Sequence, residues 1–281
     1  EISTKDAAVL LNAVKDELQD EIYQFYVGTS YRHLTIWKKG QVCELTPPHD
    51  ILGKVIGEYL PADDKLREFM KRSYDILNNH PINVERAKKG LNKANSIWFW
   101  GAGTKPCLDS FEGKYGKKGV MISAVDLLKG IAVGTGMTNI IVEGADGTLE
   151  TNYEGKADAA VKALTCDGYD YAYIHVEAPD ECGHRGEYNN KVKAIELIDE
   201  KILTPVVEFL KGYDDFAVLV CPDHPTPLNI KTHSSNPVPF LIYNSKDEKN
   251  SGVDVFTEAN AKKTGEYIEK GFTMMNYFLS K

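Results

Sequence analysis

The sequence predicts an α/β protein, in which a mostly parallel sheet with helices on both faces follows a smaller α+β unit. Three observations support this fold class. Short apolar runs recur from residue 94 onward, helical patterns lie between most of them, and the first ninety residues show a different, mixed pattern. Fully apolar strands that alternate with helices are typical of parallel sheets that are buried on both faces. We therefore predict two domains, residues 1–93 and residues 94–281.

The first domain begins with a capping pattern. Ser3 and Asp6 precede apolar residues at helical spacing, which predicts a helix at the start of the chain. The predicted elements are a helix over residues 4–20, strands over Ile22–Val27 and His33–Trp37, and a helix over Asp63–Leu77. The polar, basic segment 78–95 contains Pro81 and Gly90, and it is predicted to cross between the domains.

The second domain is predicted from its alternation of strands and helices. The predicted strands are Ser96–Trp100, Gly119–Val125, Thr138–Val142, Tyr169–Val176, Phe216–Cys221 and Val238–Tyr243. The predicted helices include Val125–Ile131, Glu154–Leu164 and Tyr188–Leu210. In such a sheet the ligand-binding and catalytic residues lie just beyond the carboxyl ends of the strands.

Charge and composition exclude several classes of partner. With 33 basic and 41 acidic residues among 281, the formal net charge is −8. This charge argues against general electrostatic binding of nucleic acid or anionic lipid. The sequence contains no apolar run long enough to span a bilayer, and we expect no signal peptide at its start. The five cysteines are scattered without CxxC spacing, so we expect a reducing, cytoplasmic location.

Carboxylate and imidazole groups cluster at the predicted strand ends. Asp180 and His184, one helical turn apart, follow the strand Tyr169–Val176. Asp223 and His224 follow the strand Phe216–Cys221, and His233 precedes the next strand. Either type of pair is common by itself on protein surfaces. Three such elements in one sheet favour metal binding, and these ligand types suit Zn²⁺ or Mn²⁺.

Several stretches resemble a known family. They are Ser30–His33, Thr46–Lys54, Ala94–Trp98, Ile122–Leu127, Thr151–Lys156 and His175–Asp180. Together with the candidate ligands, they resemble the archaeal-type cofactor-independent phosphoglycerate mutases of the alkaline phosphatase superfamily, almost from end to end of the chain. The resemblance implies an alkaline-phosphatase-like domain, here residues 94–281, and a smaller inserted domain that covers the substrate, of which residues 1–93 are the remaining part.

The resemblance also implies roles for individual residues. Asp180, His184 and His233 would hold one divalent ion, and Asp223 and His224 would contribute to a second. The two ions would be Mn²⁺ or Zn²⁺, with Mg²⁺ and Co²⁺ as alternatives. Lys156 aligns with a lysine that supports the nucleophile and its phosphoryl oxygens, although without the resemblance it would be interpreted as a lysine at a helix start.

The implied reaction interconverts 3-phosphoglycerate and 2-phosphoglycerate through a phosphoserine. Among the residues of the first domain, Arg32 is the best-placed candidate to bind this small phosphorylated acid, because its planar guanidinium offers paired donors. His33 and His49 are further candidates. The alternatives are that Arg32 is a solvated strand residue and that the loop around His49 caps the next helix through Asp50.

The nucleophile and one metal-binding aspartate are missing from the pattern. In the family both lie upstream of the segment that matches this chain. Ser96 and Ser123 lie in unsuitable contexts here, and Thr104 is the least unsuitable alternative. We therefore expect a fragment that is inactive on its own. A homoserine kinase of the same family and a non-catalytic metal-binding protein stay open as alternatives. The metal's identity and the oligomeric state also stay open. Cys182 and Cys221 would serve either in packing, which we favour, or as extra ligands.

Overall fold

The computed structural model describes residues 2–279, apart from the side chain of His49. The chain forms two compact units, residues 1–105 and residues 106–281. The first unit therefore extends beyond residue 93, where the sequence placed the boundary between the domains. The sequence-based division into a substrate-covering and a metal-binding domain concerns function, and it stays a prediction.

The first unit packs helices against a short antiparallel pair of strands. Its helices and strands are α1 (Thr4–Leu18), β1 (Tyr23–Tyr26), β2 (Leu34–Trp37), α2 (Asp64–Leu77) and α3 (Pro81–Lys88), with 3₁₀ turns at Pro48–Ile51 and Ile56–Tyr59. The predicted cap is present, because the Ser3 hydroxyl accepts a hydrogen bond from the Asp6 amide at 3.1 Å. Apolar residues of α1, β1 and α2, among them Val14, Phe25 and Phe69, form the core.

Two details of the first unit differ from the sequence-based prediction. The predicted connecting segment contains the helix α3. The predicted strand Ser96–Trp100 is wrong, since none of these residues has strand structure. Ile97 and Phe99 instead pack against the core of the first unit, and the Trp98 indole donates to the carbonyl of Thr46 at 2.7 Å. Their apolar character therefore serves packing without a strand partner.

The second unit alternates strands and helices along the chain. Its elements are α4 (Phe111–Tyr115), β3 (Gly119–Ile122), α5 (Asp126–Gly134), β4 (Thr138–Ile140), α6 (Tyr153–Thr165), β5 (Tyr171–Ile174), α7 (Ala178–Arg185), α8 (Tyr188–Ile198), α9 (Thr204–Leu210), β6 (Ala217–Val220), β7 (Leu241–Asn244), α10 (Glu258–Thr264) and α11 (Met274–Leu279). Within the described residues, no helix combines the length and apolar character needed to span a membrane.

A parallel sheet forms the centre of the second unit. Its strand order is β4-β3-β5, and β3 pairs in parallel with both neighbours. All four residues of β3 are buried, as expected for a central strand that is covered on both faces. Helices α5 and α6 pack against this strand. The predicted α/β class with a parallel sheet and helices is therefore confirmed.

Two features of the second unit differ from the prediction. Strands β6 and β7 pair with each other in antiparallel orientation, whereas the sequence placed both in the mostly parallel sheet. An apolar strand pattern does not specify the direction of pairing. The predicted helix Tyr188–Leu210 is interrupted by a π-helical segment at Asp199–Leu203. Pro205 lies two residues beyond its end, and a proline lacks the amide that a regular α-helix requires at that point.

Tyr153, at the start of α6, buries a hydroxyl for which the described residues offer no hydrogen-bond partner. The residue is 2% exposed and packs against Ile202 and Val206. Because a buried hydroxyl without a partner costs free energy, we expect Tyr153→Phe to raise the free energy of unfolding by about 1 kcal/mol at pH 8. Urea denaturation would measure this change, and Tyr188→Phe, at an exposed position, should leave the free energy unchanged.

The same substitution should change the alkaline limb of the stability profile. Burial, with smaller contributions from Cys182, Glu150 and Asp146, raises the pKa of Tyr153 from the ordinary value of 10.0 to about 12. The native state therefore keeps the proton of the Tyr153 hydroxyl to a higher pH than the unfolded state does. The wild type should therefore lose stability progressively as the pH rises from 10 to 12, and Tyr153→Phe should lack this loss because it has no proton to release. A Tyr153→Phe variant with an unchanged slope in this range would contradict the prediction.

Candidate metal centre

The site begins where β5 ends and α7 starts. Pro179 occupies the first turn of α7, where its missing amide is no loss, and the helix ends at Gly186 in the left-handed conformation. Within this short helix Asp180 and His184 are four residues apart, so they share one face. The Nε2 atom of His184 lies 3.3 Å from Oδ2 of Asp180.

His233 completes a cluster of three candidate ligands. Its Nε2 atom lies 3.1 Å from Nε2 of His184 and 3.5 Å from Oδ1 of Asp180. All three donor atoms lie within 4.8 Å of one another. Ligand atoms of a tetrahedral zinc site are roughly 3.3 Å apart, given Zn–N distances of about 2.0–2.1 Å. The spacing of this cluster therefore fits the coordination sphere of one small divalent ion.

The protonation of His184 also fits metal binding. Its Nδ1 atom lies 3.0 Å from the carbonyl oxygen of Lys231, and a carbonyl can only accept. The ring therefore donates from Nδ1, and Nε2 presents its lone pair to the cluster. Lys231 adopts a left-handed backbone conformation, with φ of 53°, which is uncommon for a residue with a side chain. Lys231 thus adopts this uncommon conformation at the residue whose carbonyl oxygen orients the His184 ring.

Asp223 and His224 lie next to this cluster. The rings of His224 and His233 are in contact, with centroids 3.8 Å apart and planes tilted by 37°. Asp223 Oδ2 lies 3.4 Å from His224 Nε2, and the Asp223 side chain is 64% exposed. A carboxylate and an imidazole are thus adjacent, and their predicted contribution to a second ion stays a prediction.

Lys156 lies in the first turn of α6 and is fully buried. Its ammonium donates a hydrogen bond of 2.9 Å to the carbonyl oxygen of His175, the residue after β5. Burial lowers the pKa of Lys156, and the negative charges of Glu177 and Asp146 oppose this shift. A buried cation beside the end of a sheet strand suits the stabilisation of negative charge. Its catalytic role stays a prediction.

The candidate substrate residues belong to the first unit. Arg32 is exposed in the turn before β2, with its guanidinium carbon 5.7 Å from the centroid of the Tyr31 ring. His33 accepts a hydrogen bond from the Gly28 amide at Nδ1, at 3.1 Å, and burial lowers the pKa of its ring. His33 is therefore a neutral donor at Nε2. The side chain of His49 lies outside what the structure describes, and the substrate-binding roles of all three residues stay predictions.

Sequence reasoning missed Thr226 and Lys191. Thr226 is 4% exposed, and its hydroxyl donates a short hydrogen bond to Oδ1 of Asp180. The Lys191 ammonium, from α8, donates to the Thr226 carbonyl at 2.8 Å. A threonine between Pro225 and Pro227, directly after the Asp-His pair, was a local signal for Thr226. Lys191 gave no such signal, because its role depends on a contact between distant segments.

The cysteines near the ligands differ from each other. Cys182 is buried inside α7, as expected for packing. Cys221 is exposed, so the packing expected for it is not observed.

Gly183 allows the Thr226 loop to approach α7. A Cβ atom at Gly183 would lie 2.7 Å from the Thr226 carbonyl oxygen and 2.8 Å from the Lys191 ammonium. We expect Gly183→Ala to lower the free energy of unfolding by about 1–3 kcal/mol, because the loop must move away from the helix. Urea denaturation would measure the loss.

The control for Gly183→Ala is Gly130→Ala, within α5, where a Cβ would meet nothing within 4 Å. There the better helix propensity of alanine should stabilise by about 0.5–1 kcal/mol. Equal effects of the two substitutions would contradict the close approach of the loop.

Fold and site together define a metalloenzyme-type α/β protein. The sequence signature of the metalloenzyme superfamily matches residues 5–281. A relative from Geobacter sulfurreducens, named a probable 2,3-bisphosphoglycerate-independent phosphoglycerate mutase, is 44% identical over 100% of this chain and 71% of its own length. The 2,3-bisphosphoglycerate-independent phosphoglycerate mutase of Methanosarcina barkeri is 47% identical over 93% of this chain and 67% of its own length. The chain belongs to the family of the 2,3-bisphosphoglycerate-independent phosphoglycerate mutases.

Solved structures agree with the fold. A protein from Pyrococcus horikoshii superimposes with a TM-score of 0.72 at 25% identity, covering 93% of this chain and 65% of its own. The cofactor-independent phosphoglycerate mutase of Thermoplasma acidophilum gives a TM-score of 0.62 at 22% identity, covering 98% of this chain and 69% of its own. The second similarity supports the fold alone.

Proposed function

We propose that this protein carries out metal-dependent phosphoryl transfer, the cofactor-independent interconversion of 3-phosphoglycerate and 2-phosphoglycerate. The observation that carries the proposal is the cluster of Asp180, His184 and His233 beyond β5. Its donor atoms have the spacing of a first coordination sphere, and the hydrogen bond to Lys231 leaves the lone pair of His184 available. Family membership supports the choice of substrate.

Each residue of the site has a role that follows from its chemistry. Asp180, His184 and His233 would hold one divalent ion, and Asp223 and His224 would contribute to a second. Bound ions would supply positive charge to the phosphoryl oxygens and lower the cost of an in-line displacement. Lys156 would add a fixed positive charge near the same strand end, because its ammonium is anchored to the His175 carbonyl.

The nucleophile is proposed to be a serine outside this chain, together with an aspartate that completes the second metal site. The chain spans 71% of the length of the Geobacter relative, which leaves room in that relative for further segments. Arg32, His33 and His49 are proposed to bind the phosphate or carboxylate of the substrate. Conversion by Arg32→Lys as fast as by the wild type would contradict the role of Arg32, because lysine lacks the paired donors of the guanidinium.

The test uses the full-length protein that the source gene encodes. It is incubated with Mn²⁺ and 3-phosphoglycerate and followed by phosphorus NMR, with a metal-chelated sample as the control. Formation of 2-phosphoglycerate without added bisphosphoglycerate is the expected result. A folded, metal-loaded protein that converts nothing would contradict the proposal, and ATP with homoserine would be the next substrates.

A further inference from the structure

Thr226 connects the two sets of candidate metal ligands. Its hydroxyl oxygen donates a short hydrogen bond to Oδ1 of Asp180, which belongs to the three-residue cluster. The same oxygen lies 3.3 Å from Nδ1 of His224, which belongs to the Asp-His pair after β6. The residue is 4% exposed, so solvent does not compete strongly for these contacts.

The proton count of this arrangement favours one tautomer of His224. A threonine hydroxyl has one proton to donate, and an ionised carboxylate can only accept. Because that proton points to Asp180, the hydroxyl can interact with His224 only as an acceptor. The contact with Thr226 therefore favours a proton on Nδ1 of His224, whereas Oδ2 of Asp223, 3.4 Å from Nε2, favours one on Nε2. Because the Asp223 side chain is 64% exposed and Thr226 is 4% exposed, water weakens the Asp223 contact more, and Nδ1–H is the expected tautomer.

Contacts with two helices, α8 and α7, constrain the position of the Thr226 backbone. Lys191, on α8, donates to the Thr226 carbonyl at 2.8 Å. Gly183, on α7, has no side chain that would push this carbonyl away. The Thr226 backbone is therefore constrained by two helices while its hydroxyl faces the ligands.

We propose that Thr226 is a positioning residue that orients Asp180 and sets the tautomer of His224, so that one hydroxyl prepares ligands of both metal positions. The inference rests on the metal-dependent function proposed above. Removal of a residue that hydrogen-bonds to a metal ligand typically lowers metal affinity by about 10–100-fold. Thr226→Val removes the hydroxyl and keeps the shape, whereas Thr226→Ser keeps the hydroxyl.

The first measurement is a titration with Mn²⁺, in which electron paramagnetic resonance counts the free ion. We expect Thr226→Val to weaken binding by about 10–100-fold and Thr226→Ser to bind nearly as the wild type does. Equal weakening in both variants would overturn the inference, because it would indicate a packing effect. Binding by Thr226→Val as tight as in the wild type would overturn it as well.

The second measurement reads the tautomer directly in the metal-free protein. Two-bond ¹H–¹⁵N correlation spectra at pH 8, assigned with a His224→Asn variant, report which ring nitrogen of His224 carries the proton. We expect Nδ1–H in the wild type and in Thr226→Ser, and a shift towards Nε2–H in Thr226→Val. An unchanged tautomer in Thr226→Val would overturn the inference. A wild type that binds no Mn²⁺ would contradict the proposed function, while the tautomer would still decide the role of Thr226.

Discussion

Replacing His184 and His233 together by alanine should abolish metal binding at the three-residue cluster. The two substitutions leave Asp180 as the single remaining ligand of this group. Because each ligand of a divalent ion contributes several kcal/mol, the affinity of this position should fall by at least about 10³-fold. Elemental analysis after gel filtration would measure the loss of bound metal, and phosphoglycerate conversion by the full-length protein should fall to background.

The control for this pair is His80→Ala. His80 lies in the first unit, where its Nδ1 atom accepts a hydrogen bond from the Ile82 amide and caps α3. Its loss should cost about 0.5–1 kcal/mol of stability and no metal. Metal retained at the wild-type level by the His184→Ala, His233→Ala double variant would disprove the assignment of the cluster.

Replacing Lys156 by methionine should lower kcat by about 10²–10³-fold while the bound metal is retained. Methionine keeps much of the volume of the fully buried side chain and removes its positive charge. Steady-state conversion of 3-phosphoglycerate by the full-length protein, together with metal analysis, would separate the two effects. The matched control is Lys162→Met on the same helix, where the lysine side chain is 70% exposed.

The buried charge also predicts a dependence on pH. Burial lowers the pKa of Lys156, so the ammonium loses its proton at a lower pH than an exposed lysine does. Wild-type activity should therefore decline as the pH rises through this lowered pKa, before the ordinary range of lysine is reached.

One outcome would contradict the catalytic role of Lys156. It is equal activity of Lys156→Met and Lys162→Met at pH 7.5.

Local patterns predicted much of the fold correctly. Three of these features depend on residues that are close in sequence. They are the Ser3 cap, the helical turn that places Asp180 and His184 on one face, and the strand β3. The strand prediction for Ser96–Trp100 was wrong, because an apolar run fits a packed coil as well as a strand.

Non-local contacts determined what the sequence did not specify. The antiparallel pairing of β6 with β7 requires two segments separated by a long loop, and an apolar pattern is the same for either direction. The burial of Lys156 was also beyond the pattern, since a lysine at a helix start is usually solvated.

The sequence by itself determined the types of ligand and their order along the chain: a carboxylate and an imidazole one helical turn apart, an Asp-His pair after a later strand, and a third histidine. Helical periodicity and strand ends fix these features locally, so they can be recognised without the structure. The tertiary structure decided which donor atoms meet, with Nε2 of His233 placed 3.1 Å from Nε2 of His184. It also decided that Thr226 and Lys231 orient the ligands. The physical reason is that these contacts join segments up to 49 residues apart, and only the packed chain brings them within bonding distance.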